Sequence, residues 1–235
     1  MHVASERSFK IRTSYWVIGL AAGKIKGMSS YERMKERYLA GTVPWDDVLP
    51  PPEVMELIPR LEPGRALDLG CGYGRAAIFM ARHGWQVDGI DFIPEAIIEA
   101  AARAEAAGVL ERVKFHQSPV SELGVLHGRY DLALDVGCMH SLDEAELQSY
   151  AAGLRRLLRP GAIYLLYARL ADPDRDSESG PRGVPEQTIK TLFVDGFELE
   201  QFIPGETVVE DQPVWASAWF YFRRQENQGT SSRGS

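Results

Sequence analysis

65-RALDLGCGYGRAAIFMARHGWQVDGID-91 is the stretch on which the fold turns. An apolar run leads into three glycines within five residues, Gly70, Gly72 and Gly74. A small-apolar helix pattern follows, and then a second apolar run that ends in Asp91. Strand, turn, helix and strand in that order specify a parallel pair with a covering helix. A strand ending in Leu67-Asp68-Leu69 must reverse into a helix beginning near Arg75. The glycines permit positive φ there and let a ligand approach the backbone. Free N–H groups at the helix start favour an anionic ligand group. In a doubly wound sheet this first loop lies at the carboxyl ends of the strands, where ligands bind. Asp91 stands 17 residues after Gly74 at the end of the second strand. From that position a carboxylate can accept hydrogen bonds from two ribose hydroxyls.

The glycine spacing separates two chemistries. Dinucleotide enzymes use G-x-G-x-x-G with the same downstream acid, whereas this chain has G-x-G-x-G with Asp68 two residues before the first glycine. An acid beside the loop repels a pyrophosphate but suits a ligand that carries an ammonium and a sulfonium. Asp68 acting only as a cap for the turn is the plainer reading.

Around this unit the 235 residues suit one α/β domain, with 45% hydrophobic content to build a core. With 26 basic against 33 acidic residues the net charge is −7, and no run of Lys or Arg exceeds a pair such as Arg223-Arg224. A nucleic-acid partner is not expected. Cys71 and Cys138 are the two cysteines, and neither sits in a metal-ligand pattern, so neither a disulfide framework nor a metal site is expected. The apolar stretch 15-YWVIGLAAG-23 is about half the length of a membrane span, and Lys24 and Lys26 follow it without a clean cleavage site. The expectation is a cytoplasmic protein with no membrane association, whose residues 1–27 form an extension before 28-MSSYERMKERY-38. Ser29 or Ser30 caps a first helix that runs to Leu39, with Gly41 as its stop. The polar tail 225–235 reads as disordered.

Strands are predicted at 65–69, 86–90, 113–117, 130–136 and 162–168. Helices are predicted at 53–61, 74–83, 94–107, 143–158 and 185–194. The 141-SLDE-144 run reads as the capping box of the 143–158 helix. Two further strands near 196–203 and 214–222 are too close for a crossover helix and should pair antiparallel at one edge of the sheet.

Several of these segments resemble class I S-adenosylmethionine-dependent methyltransferases. The run 66-ALDLGCGYGR-75 is similar to their first motif and 87-VDGIDFIPEAI-97 to their second. The run 130-YDLALDVGCMHSL-142 is similar to the fourth strand with its substrate-facing loop, and 157-LLRPGAIYLL-166 to the fifth strand. The N-terminal 31-YERMKERYLAGTVPWD-46 resembles the thiopurine-methyltransferase and tellurite-resistance group, in which a short helix and a Pro-Trp segment cover the cofactor. The resemblance implies a Rossmann-like α/β fold, doubly wound, with a seven-stranded sheet that is mostly parallel and has an antiparallel C-terminal edge strand. It divides the chain into the extension 1–27, a cap helix and Pro/Trp segment 28–62, a catalytic domain 63–224 and the tail 225–235.

The same resemblance assigns the site. Asp68, Gly70, Gly72 and Gly74 would hold the methionine end of S-adenosylmethionine, Asp91 the ribose, and Phe92 the adenine face. Ser118, Pro119 and Val120 would border the adenine edge, with Ser118 where the group often has an acid. Asp135 faces the cofactor's amino end or buttresses its loop. Methyl transfer from a sulfonium asks mainly for alignment and dryness, and a hydroxyl acceptor also needs a base. His140, with Asp135, is the catalytic candidate, and a helix-flanking role is its plainer reading. Tyr31, Trp45, Cys138, His140 and Arg169 are the candidate substrate contacts, Trp45 also by cation-π attraction to the sulfonium. Arg37 is placed at the entrance, and a loop at 171–183 is either a lid or a connector. The acceptor is expected to be a small molecule, a thiol, chalcogen or other soft nucleophile before a phenolic hydroxyl, leaving S-adenosylhomocysteine. A modified cofactor, a cofactor-binding protein without catalysis, and a nicotinamide-dependent oxidoreductase stay open, as does a monomer or homodimer.

Overall fold

The computed structural model describes residues 30–41, 43, 45–171, 183–208 and 214–226. The extension 1–27, Ser29, most of the 171–183 loop and most of the tail lie outside them.

Seven strands form one sheet: β1 (Arg65–Leu69), β2 (Gln86–Asp91), β3 (Val113–Gln117), β4 (Tyr130–Val136), β5 (Leu158–Arg169), β6 (Phe197–Thr207) and β7 (Trp215–Arg224). Their spatial order is β3-β2-β1-β4-β5-β7-β6. β1 to β5 are parallel, and β7 runs antiparallel between β5 and β6. The chain therefore winds outward from β1 to β3 and then restarts at β4 on the other side of β1. The crevice between the carboxyl ends of β1 and β4 is the switch point where such sheets bind ligands. β6 forms the edge, so β7 is antiparallel but flanked on both sides.

Six helices accompany the sheet among the described residues: α1 (Ser30–Leu39), α2 (Pro52–Leu57), α3 (Arg75–Arg82), α4 (Pro94–Ala106), α5 (Glu144–Leu157) and α6 (Glu186–Phe193). Strand alternation sends neighbouring side chains to opposite faces. Leu67 and Leu69 join the core beneath α5 and α6, with Leu154, Tyr164 and Phe193, whereas Ala66 packs with Ala77 and Met80 of α3. A smaller cluster, Tyr38, Ile93 and Ala96, seats α1 on α4.

Two local expectations are corrected. The capping box of α5 is Asp143 with Glu146, not 141-SLDE-144. Met139–Ser141 forms a 3₁₀ turn of its own, which leaves Asp143 as the first extended residue able to accept from the Glu146 N–H at 2.9 Å. β5 begins at Leu158, four residues early. Its pairing jumps from Tyr130↔Leu158 to Leu132↔Ile163, and the Arg159-Pro160-Gly161 segment bulges between them, with Gly161 at φ 81°.

Candidate functional site

The glycine turn is built from β1 toward α3. Gly70, Gly72 and Gly74 take φ of 66°, 52° and 81°, values that a side chain makes costly. Their reasons differ. A Cβ on Gly70 would stand 2.7 Å from Cys138 Cβ, and one on Gly72 would stand 3.0 Å from the Tyr38 hydroxyl. These two glycines let the β4 loop and α1 close on the turn. A Cβ on Gly74 would meet Phe115 and Ala100 at 3.0 and 3.2 Å, so that glycine serves the seating of α3 on β3 and α4. It does not line the cleft.

That cleft opens to solvent and is bordered by Asp68, Gly70, Gly72, Tyr73, Trp45 and Asp46, among others. Asp68 is its most unusual member. The residue is 3% exposed, and its Oδ2 finds no hydrogen-bond partner among the described residues. Burial raises its carboxyl to about 7, opposed by the Ala77 N–H and by Arg75 and reinforced by Asp135 and Asp91. A buried acid with an open oxygen is a receptor for a cation. The residues fit the ammonium end of an S-adenosylmethionine-like ligand.

Asp91 closes the other side of the turn. Its Oδ2 accepts from the Gly72 N–H and its Oδ1 from the Ile93 N–H, both at 3.0 Å. Each oxygen keeps a second lone pair, so the carboxylate can fix the turn and still accept from hydroxyls. Ser118 follows β3 beside it, its N–H bonded to the Asp91 carbonyl and its hydroxyl donating to the Glu122 carbonyl. Val120 is a core residue of the α5 side. Phe92 meets Tyr31 edge-on, ring centroids 5.5 Å apart.

Asp135, expected among the catalytic and cofactor groups, has another place. It is 0% exposed, and its oxygens accept from the backbone N–H groups of Cys138 (2.7 Å) and Met139 (3.1 Å) and from the Tyr150 hydroxyl (2.7 Å). Tyr150 is bonded in turn to Tyr164 at 2.8 Å. Burial raises Asp135 to about 6 against these donors. The carboxylate staples the 137–141 loop to α5 from beneath, which is the buttressing alternative.

His140 differs from a general base. Its Nδ1 accepts from the Arg169 backbone N–H at 3.3 Å, so the neutral ring carries its proton on Nε2. Desolvation first, and the Arg169 charge second, lower its pKa to about 4. The ring is a fixed neutral donor at neutral pH. Arg169 is 6% exposed, with its guanidinium 4.7 Å from the Trp215 ring. Burial and nearby acids push the Cys138 thiol well above its ordinary value, which leaves it a lining group rather than a nucleophile.

The candidates thus fall into three neighbouring groups. Asp68, Gly70, Gly72 and Trp45 share the cleft, while Asp91, Phe92 and Ser118 lie on the β2–β3 side of the turn. His140 and Arg169 stand beyond Cys138, which touches Gly70. The sequence reading missed the clasp that holds the cap down. Trp45 Nε1 donates to the Tyr38 hydroxyl at 3.2 Å, and Tyr73 meets Tyr38 edge-on at 5.1 Å. Arg103 of α4 makes a two-pronged pair with Asp46 at 2.7 and 2.9 Å, and Arg37 lies over the Trp45 ring. Tyr38 sits two helical turns after Tyr31, and that spacing was the available signal. Among the described residues no helix is long and apolar enough to cross a membrane, and no cluster of three or more His, Cys, Asp or Glu side chains could hold a metal ion.

Known proteins share this fold. A methyltransferase-domain family model matches residues 66–161. A 2-heptyl-1-hydroxyquinolin-4(1H)-one methyltransferase of Mycobacteroides abscessus is 29% identical over 213 residues, covering 88% of this chain and 92% of that protein. TehB of Haemophilus influenzae shares the fold with a TM-score of 0.67 at 16% identity, over 81% of this chain and 67% of that one. The 1,6-didemethyltoxoflavin-N1-methyltransferase of Burkholderia thailandensis does so with a TM-score of 0.62 at 21% identity, over 91% and 100%. The sheet order, the acid-tipped strands around the glycine turn, the methyltransferase-domain match and the methyltransferase relative together make the chain a class I S-adenosylmethionine-dependent methyltransferase.

Proposed function

We propose that the enzyme methylates an acidic nucleophile on a small molecule, with a ring-borne hydroxyl and a thiol as the two acceptor classes. The carrying observation is Asp68, a buried carboxylate that borders the cleft and has one oxygen without a partner among the described residues. In this reading Asp68 receives the donor's ammonium, Asp91 the ribose hydroxyls, and Phe92 with Ser118, Pro119 and Val120 the adenine. When bound, S-adenosylmethionine supplies an electrophilic methyl group on a sulfonium. The protein's part is to align, to desolvate and to fix protons. The Tyr38, Tyr73 and Trp45 rings cover the turn and exclude water there. Asp135 holds the acceptor-facing loop in one conformation, which is worth more than a base where a displacement needs alignment.

The hydroxyquinolone relative, aligned over nearly its whole length, supports the hydroxyl class, and the resemblance of 31-YERMKERYLAGTVPWD-46 to the tellurite-resistance group supports soft acceptors. A net charge of −7 supports a small molecule over nucleic acid. Residues 28–62 act as a cap on the catalytic unit 63–224. The test is a labelled-methyl screen with S-adenosylmethionine over aromatic thiols, phenols and N-hydroxy heterocycles. Transfer to at least one class is expected, and failure of the protein to bind S-adenosylmethionine or S-adenosylhomocysteine would sink the reading.

A further inference from the structure

The cleft beside the glycine turn is bordered by one Lys or Arg among the described residues, Arg75, the first residue of α3. Its side chain is 14% exposed, and its ties are long. The Asp47 carboxylate stands 3.6 Å from Nη1, and the Leu49 carbonyl accepts from the same nitrogen at 3.5 Å, the outer reach of a hydrogen bond. Asp47 is the more exposed partner, at 42% of its side chain. Burial raises the Asp47 carboxyl above its usual value, Arg75 lowers it and Asp46 raises it, so the pair does not outweigh desolvation. Asp46, one residue before, is committed elsewhere. It gives both oxygens to Arg103 at 2.7 and 2.9 Å, and that guanidinium lies 4.5 Å from the centre of the Tyr73 ring. The same cleft is bordered by Asp68, whose Oδ2 has no partner among the described residues, and Arg75 is close enough to lower the Asp68 carboxyl. One cleft thus sets a loosely held guanidinium beside a carboxylate with an unused oxygen.

We infer that Arg75 takes the carboxylate of the methyl donor's amino-acid end and gives up Asp47 in exchange. This deepens the methyltransferase reading and rests on it. An α-amino acid carries its ammonium and its carboxylate on one carbon, so a receptor for it sets an anion and a cation side by side. Asp68 and Arg75 are that pair. A guanidinium offers five N–H donors in a planar fork that matches a carboxylate two-pronged, whereas Asp47 meets it at 3.6 Å through one nitrogen. Asp47 lies on the chain between α1 and α2 and is exposed enough to turn to solvent. Asp46 keeps that segment attached to α4 through Arg103, so the exchange needs no opening of the cap. Asp47 is then a built-in competitor for the donor's carboxylate. A donor analogue without that carboxylate leaves Arg75 with Asp47 and gains nothing from the exchange.

The test compares two ligands by calorimetry on the full-length protein, S-adenosylhomocysteine and its decarboxylated form, an aminopropyl thioether that keeps the ammonium. The wild type should bind S-adenosylhomocysteine about tenfold or more tighter than the thioether. Arg75→Gln should close that gap to within about threefold by weakening S-adenosylhomocysteine alone, and Arg75→Lys, which keeps the charge without the fork, should recover part of it. Asp47→Asn should tighten S-adenosylhomocysteine about two- to threefold and leave the thioether unchanged. Asp68→Asn, by contrast, should weaken both ligands. Equal wild-type affinities, or a gap that Arg75→Gln leaves intact, overturn the assignment of Arg75. Unchanged or weaker S-adenosylhomocysteine binding by Asp47→Asn overturns the exchange. Thioether binding shows that each variant is folded, and the wild-type comparison with Asp47→Asn decides the matter if Arg75→Gln is not. A wild type that binds neither ligand strikes the methyltransferase reading, and the proposal falls with it.

Discussion

Two corners on either side of Cys138 are built by different means. Beneath the glycine turn, Asp68 and Asp91 stand at the tips of adjacent strands, where local sequence places them and burial raises both carboxyls. Across Cys138, His140 and Arg169 come from a loop and a strand 29 residues apart, and each sets the state of the other. The acid corner suits a cationic methyl donor, whereas the other corner is set by the contact between His140 and the Arg169 backbone. Burial penalises the Asp68 carboxylate and favours a cationic ligand that restores neutrality.

Breaking the acid corner should have the largest effect. Asp68→Asn is expected to weaken S-adenosylhomocysteine binding about a hundredfold or more, measured by calorimetry, since it removes one partner of a buried ion pair. The same change should stabilise the ligand-free protein. Asp68's folded pKa of about 7 lies above the 3.8 of the unfolded chain, so the native state binds the extra proton. Wild-type stability is lost as pH rises through that window, by up to about 4 kcal/mol. Thermal melts above pH 7 should therefore show the variant ahead, and equal stability would contradict a buried, raised carboxyl.

The other corner should answer pH in the opposite direction. His140 falls from 6.5 to about 4 on folding, so the unfolded chain binds the proton and acidification through that window costs up to about 3 kcal/mol. His140→Gln should remove that part of the acid sensitivity, read as the difference between variant and wild-type melts. Turnover of the variant should fall alike on hydroxyl and thiol acceptors. A loss confined to hydroxyls would restore His140 as a base.

The seam between the corners is tested by Gly70→Ala. A positive φ and a Cβ driven against Cys138 should cost about 2 kcal/mol in denaturant unfolding, and a neutral substitution would mean that the loops close less tightly. The smallest effect belongs to the clasp. Arg103→Ala opens a partly exposed ion pair with Asp46 and should cost under about 1 kcal/mol. It should raise the KM for S-adenosylmethionine with little change in kcat.

The contrast also explains what could be read in advance. β1 to β4 and α3 to α5 followed from the alternation of apolar runs with glycine and proline punctuation, and the acid corner came with them because Asp68 and Asp91 are strand-terminal. Around the other corner the sequence offers His140 and Arg169 as candidates without their partners. No pattern around residue 140 shows that Arg169 will occupy Nδ1, or that Tyr150, 15 residues on, will claim Asp135. The capping box slipped because 141-SLDE-144 and the run from Asp143 to Glu146 satisfy similar rules, and a 3₁₀ turn chose between them. Gly74 looked like its neighbours, yet only the packing of Phe115 and Ala100 gives its reason.

The central claim, that a protonatable Asp68 receives the donor's ammonium, has a direct measurement. S-adenosylhomocysteine is titrated calorimetrically at pH 7 in two buffers of different ionisation enthalpy, which counts protons exchanged on binding. A carboxyl poised near 7 that becomes an ion-pair partner should release about half a proton per ligand bound, and Asp68→Asn should release none. Binding with no net proton release in the wild type would contradict the account.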